Sequence, residues 1–153
     1  MYAFSATVEV NPAGARPVLS RDQLWQGLLM KAENAVPFVP GMESCLVLER
    51  GEGNLIREIA VHSQRFKELV TFTPQDQIHL QRIEGDETGW ITNIVSESDR
   101  GLLLTFTFAL SDSSVPAGSS KEKRREEAIK SAYFAAVDKT IRTVRQLAAE
   151  GKI

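Results

Sequence analysis

The 153-residue sequence predicts an α+β fold: a curved, seven-stranded antiparallel sheet wrapped around a long C-terminal helix, with a short helical pair between strands 1 and 2. Three observations predict it. Apolar residues recur at spacings of three and four from Ile129 to Ala148, the stripe of a long helix. From Glu43 to Leu110 the period changes to two, and turn signals interrupt it roughly every ten residues, as in strands joined by hairpins. Ahead of both lies one alternating stretch followed by one helical stretch.

Phe4 to Val10 alternates, is rich in β-branched residues and stops at Asn11-Pro12, so it reads as the first strand. After a loop with Pro12, Gly14 and Pro17, Ser20 and Gln23 have capping-box spacing ahead of Leu24, Trp25, Leu28, Leu29 and Ala32. That helix should end near Asn34. Pro37, Pro40 and Gly41 leave room for at most one further helical turn. Strands are expected at 43–50, 55–62, 65–73, 77–83, 89–97 and 102–110, with turns at Gly51-Glu52-Gly53-Asn54, near Ser63, and at Pro74-Gln75-Asp76, Glu84-Gly85-Asp86 and Asp99-Arg100-Gly101. The final helix starts at a second capping-box pattern, Ser119 and Glu122, and ends at Gly151. Its stripe is Ile129, Tyr133, Ala136, Val137, Thr140, Ile141, Val144, Leu147 and Ala148, with Arg124, Asp138, Arg142 and Arg145 opposite. A sheet bent around a helix diverges from it at one end, and an open pocket is the expected by-product.

Composition narrows the function classes. With 42% hydrophobic and 25% charged residues, the chain is expected to be one domain, 1–153, with one core. A formal charge of −2 argues against nucleic acid as a partner, which calls for a basic face. Neither a secretion signal nor an apolar run near eighteen residues is found, and the single cysteine rules out an intramolecular disulfide, so the expected location is cytoplasmic.

The order of elements, the run Phe38-Val39-Pro40-Gly41-Met42-Glu43-Ser44-Cys45, the segment Val70-Thr71-Phe72-Thr73-Pro74, Thr92-Asn93 after Trp90, and the ending Thr140-Ile141-Arg142-Thr143-Val144-Arg145 resemble the START and birch-pollen-allergen (SRPBCC) superfamily. Within it the chain is similar to the AtaL-like branch, of uncharacterised function. The resemblance covers nearly the whole chain and implies a helix-grip fold with a hydrophobic cavity between sheet and long helix. Members of the superfamily are carriers of lipids, sterols and plant hormones, or aromatase/cyclases acting on polyketides.

Strand parity then suggests the lining, if the more apolar alternation faces inward. Leu55, Ile59 and Val61 put Arg57 inside; Phe66, Val70 and Phe72 put Glu68 inside; Ile78 and Leu80 put Arg82 inside. Leu104, Phe106 and Phe108 make an apolar wall, and the helix contributes Tyr133, Val137 and Thr140, with Glu126 on the same face. Trp90 competes in parity with Ile91 and belongs either to the wall or to the core. The candidate ligand-binding set is Arg57, Glu68, Phe72, Arg82, Trp90, Phe106, Phe108, Tyr133, Val137 and Thr140. Arg57 and Glu68 flank one hairpin turn, so they either neutralise each other or serve as electrostatic group and acid/base of a catalytic site.

Other chemistry has little support. His62 and His79 fall on the less apolar parity and are expected to face solvent, and Cys45 reads as a small buried residue. No metal site, histidine base or cofactor is expected. Gly51-Glu52-Gly53-Asn54 joins two strands and reads as a hairpin turn rather than a phosphate loop, and Lys121 to Glu127 reads as a solvated helix face. The leading expectation is a module that binds a hydrophobic or amphipathic small molecule, lipid-like or aromatic/polyketide-like. The alternative is a cyclase/aromatase-like enzyme using the Arg57 and Glu68 pair. A homodimer is a further possibility, since the edge strand near Phe4 to Val10 needs protection.

Overall fold

The computed structural model describes all residues, Met1–Ile153. The elements are β1 (Tyr2–Glu9), α1 (Arg21–Glu33), β2 (Met42–Gly51), β3 (Asn54–Val61), β4 (Gln64–Thr73), β5 (Gln77–Glu84), β6 (Glu87–Ser98), β7 (Gly101–Asp112) and α2 (Ser120–Ala149). The strands form one sheet in the order β1-β7-β6-β5-β4-β3-β2, every neighbouring pair antiparallel. Consecutive strands pair through hairpins, while β1 returns to lie beside β7 and leaves β1 and β2 as the two edges. Register shifts in β2 and one between Lys67 and Glu68 in β4 mark bulges, which bend the sheet around the helix. This is the helix-grip fold.

Only one helix lies between β1 and β2. Where a second was expected, Val36–Phe38 make a single turn, with Phe38 N–H and Val39 N–H both donating to Ala35 C=O, because Pro37 and Pro40 stop it from growing. The Ser20–Gln23 capping box is complete in both directions. At α2 only half the box forms: Ser119 Oγ accepts from Glu122 N–H, while Glu122 takes the Gly118 N–H and the chain's amino terminus instead. Its far end closes on Gly151 at φ 69°, with Lys152 N–H donating to Leu147 C=O and Gly151 N–H to Ala148 C=O.

The core lies between the concave face and the two helices, where Leu104, Phe106, Phe108 and Leu110 of β7 meet Leu24 and Leu28 of α1 and Val144 of α2. The helices cross at Gly27, where a Cβ would lie 2.3 Å from a Val144 methyl. Arg145, expected on the outer face, instead folds back to donate to the backbone carbonyls of Pro17 and Val10. The C-terminal half of α2 is therefore clamped, and its N-terminal half spans open space. Gly27→Ala should destabilise the protein by about 1–2 kcal/mol, because the overpacking cost exceeds the helix-propensity gain. Urea unfolding of the single variant and of Gly27→Ala/Val144→Ala checks this, the second change recovering part of the loss.

Candidate functional site

Under the N-terminal half of α2 lies a cavity of about 490 Å³, within the range of small-molecule sites. Its apolar wall comes from Ile59, Phe66, Ile78, Leu80, Ile91 and Phe106, all on the inward parity of their strands. The helix side is lined by Ala128, Ala132 and Ala136, one per turn, beside Ile129, Tyr133 and Val137. Small residues at this spacing keep the helix from filling the space it covers.

The polar end of the cavity is a row of alternating charges laid across the sheet by strand register. Arg57 on β3 stands opposite Glu68 on β4, and Glu68 stands opposite Arg82 on β5. Glu68 Oε2 accepts from Arg57 Nε at 2.8 Å and lies 2.7 Å from Nη2, and its Oε1 lies 3.3 Å from Arg82 Nη1. The next position in the row is Gly89, at φ 118°, where a Cβ would collide with Ala109 C=O at 2.0 Å. With no side chain there, Glu87 completes the row from two residues earlier, 3.7 Å from Arg82. Glu87 in turn accepts from Tyr2 OH at 2.6 Å and lies 3.6 Å from Arg125, which also reaches Asp112 at 3.1 Å. Three arginines thus face three carboxylates.

The members are not equally satisfied. Arg57 also donates from Nη1 to Lys31 C=O and Ala32 C=O, at 3.1 and 2.9 Å, so it closes the end of α1. Burial pushes the Glu68 carboxyl up, but Arg57 and Arg82 outweigh it and hold Glu68 below the usual carboxylate range. Arg82 is the exception. Its guanidinium sits 3.9 Å over the Phe66 ring, and buried Nε and Nη1 have no hydrogen-bond acceptor, the 3.3 Å approach to Glu68 being poorly aligned. Tyr133 stacks 4.6 Å from Phe108, and burial raises its hydroxyl's pKa against a smaller opposing effect of Arg82, so it remains a phenol.

Lys31 lines the cavity from the last turn of α1, and burial, reinforced by Arg57, lowers its pKa to about 8. The folded value lies below the unfolded one of about 10.4, so folding carries a penalty that is complete below pH 8. The penalty disappears as pH rises from 8 towards the unfolded value. Lys31→Met should therefore be more stable at pH 7, by on the order of 1–3 kcal/mol, and the gap should close by about pH 10.5. Denaturation midpoints of both proteins across that window provide the check.

Of the ten residues proposed from parity, the structure brings Arg57, Glu68, Arg82, Phe106, Tyr133 and Val137 to the cavity. The other four lie elsewhere. Trp90 has the opposite parity to Ile91 and stacks on His79 at 5.8 Å on the convex face, outside the wall. Phe108 packs in the core and half-buried Phe72 packs against it, and Thr140 is spent on Ala136 C=O and Phe38 C=O. Glu126 pairs with Lys130 on the helix surface rather than facing the cavity. His62 is exposed as expected, yet it stands at the cavity rim against Gly41. Cys45 is half-buried, its Sγ 3.9 Å from Arg57. Sequence reasoning missed Lys31, Glu87, Asp112 and Arg125, the last of which was expected on a solvated face.

The family model described as AtaL, Acetylaranotin biosynthesis cluster protein L, matches residues 4–151. Among solved structures, TTHA0849 from Thermus thermophilus superposes with a TM-score of 0.72 at 15% identity, over 96% of this chain and 97% of that one. The Zhui aromatase/cyclase from Streptomyces sp. R1128 superposes at 0.63 with 17% identity, over 97% of this chain and 92% of that one. The di-domain ARO/CYC StfQ from the steffimycin biosynthetic pathway gives 0.68 at 16%, over 98% of this chain and 51% of that one. At these identities the likeness is one of fold. No protein of curated function matches the chain by sequence. No helix is long and apolar enough to cross a membrane.

Proposed function

The chain belongs to the AtaL family, and we propose that it is a cyclase/aromatase-type enzyme acting on an oxygen-rich, polyketide-like small molecule. The observation that carries this reading is Arg82: a buried cation beside an apolar cavity, with two donors unused. A chain of carbonyls folded into the cavity would place one oxygen at that guanidinium. When a methylene between two carbonyls gives up a proton to water entering from the open side of the cavity and attacks a third carbonyl carbon, the charge moves onto oxygen, where Arg82 opposes it and the Tyr133 phenol donates a hydrogen bond. The alkoxide then takes up a proton, and loss of water leaves a ring one step closer to aromatic. The fold shared with Zhui and StfQ supports this reading.

The acid/base role first assigned to Glu68 has to move, because a carboxylate held ionised by two arginines neither donates nor abstracts a proton readily at neutral pH. That same commitment favours a second reading, in which the cavity carries its ligand unchanged. A poly-β-carbonyl thioester analogue separates the two. Faster appearance of a cyclised, dehydrated product than in buffer supports the enzyme. Binding without acceleration leaves the carrier, and absence of binding removes both.

A further inference from the structure

We propose that Lys31 is a nucleophile that condenses with a ketone of the bound molecule to form an imine. The inference rests on the reading of the cavity as a site for a carbonyl-rich ligand and goes beyond it, by giving the site a covalent step. It starts from where Lys31 stands. Cations commonly occupy the last turn of a helix because they complement its carbonyl end. Here that task belongs to Arg57, whose Nη1 donates to the carbonyls of Lys31 and Ala32. The Lys31 side chain is left to line the cavity and is its only lysine. Lys67, Lys130 and Lys152, by contrast, are held by carboxylates on the surface.

No carboxylate is free to hold the Lys31 ammonium. Glu68, the acidic group that acts on it, is already shared between Arg57 and Arg82. Arg57 adds a positive neighbour at the polar end of a cavity whose remaining lining is largely apolar. The three arginines and three carboxylates of the row cancel, so a protonated Lys31, itself half-buried, leaves one uncompensated positive charge at the cavity. Both effects favour the neutral amine, which is the form that attacks a carbonyl carbon, and the pKa near 8 agrees.

The step is balanced without a co-reactant. The amine adds to the ketone to give a carbinolamine; the C–O bond then breaks, and both nitrogen-borne hydrogens leave with that oxygen as water. The imine draws electrons from the adjacent carbon more strongly than the ketone did. Tautomerisation to the enamine then supplies the carbon nucleophile that ring closure needs.

The test uses the 153-residue chain and 1-phenylbutane-1,3-dione, an apolar β-diketone that forms a conjugated, near-UV-absorbing enaminone with a neutral amine. Intact-mass and peptide analysis should find one adduct, the probe less one water, on Lys31, formed more than about tenfold faster than on exposed Lys123. Native mass spectrometry of the same samples reports reversible retention. Lys31→Arg, which keeps a cation, should retain the probe and lose the adduct. Retention without an adduct, or adducts spread equally over surface lysines, would overturn the proposal and leave the cavity reading intact. Neither retention nor adduct would overturn both.

Discussion

Replacing Glu68 with Leu is expected to cost about 3–5 kcal/mol of stability, a large share of what a domain of this size has. Glu68 is 1% exposed and is the carboxylate between two buried guanidiniums, so its loss leaves Arg57 with no carboxylate and Arg82 with Glu87 alone, 3.7 Å away. The penalty is that of uncompensated buried charge rather than of a cavity, since Leu nearly fills the space. Arg57→Met/Glu68→Leu/Arg82→Met should recover most of the loss, because it removes the stranded cations along with their partner. Urea unfolding at pH 7 measures both. The wild-type protein should show the same dependence in acid. Glu68 and Asp112 have folded pKa values below their unfolded ones, so their contribution is present above the unfolded pKa, about 4, and is lost as pH falls through the folded values.

Arg82→Met is expected to do the reverse: little harm to the fold and a loss of about 10²–10³-fold in turnover of a carbonyl substrate. Its removal leaves each neighbouring carboxylate with a partner, Glu68 with Arg57, and Glu87 with Tyr2 and Arg125. It also removes two buried donors that have no acceptor, which offsets part of the lost ion pairing. Arg82→Lys should not restore activity, since an ammonium can neither lie flat over Phe66 nor present the same fork of donors. Thermal unfolding with kcat and KM on the poly-β-carbonyl analogue separates the two effects. If both fell together with stability, Arg82 would be structural only.

The fold was legible because each periodicity holds over a long stretch and its breaks are clear turn signals: all seven strands and both helices follow from them. The proline-rich segment 36–40 gave no periodic signal, and one turn formed there instead of a helix. At the site, parity put Arg57, Glu68 and Arg82 inside and paired the first two, while the contact of Glu68 with Arg82 comes from the β4–β5 register, beyond what alternation alone carries. Nor did alternation carry the continuation of the row. Expected strands stopped at Leu110 and began at Gly89, whereas β7 runs to Asp112 and β6 starts at Glu87, which places both acids on the inward parity. Arg125 was hidden in a run of mixed charge whose partners sit more than ten residues away in sequence. Trp90 shows the limit of counting apolar residues, since both parities of β6 carry them and the convex face kept the larger one. The opening itself has a signal that hydrophobic stripes conceal, namely the alanines 128, 132 and 136 spaced one turn apart.

Native mass spectrometry of the purified protein beside Ala132→Phe tests whether the cavity under α2 holds the ligand. The wild type should retain an oxygen-rich, largely apolar small molecule, or take up the β-diketone in a one-to-one complex. The variant, with a phenyl ring projecting into the cavity, should fold equally well and hold neither. Equal retention by both proteins would place the ligand somewhere other than this cavity, and an empty wild type that also refuses the probe would mean that the cavity is not a binding site.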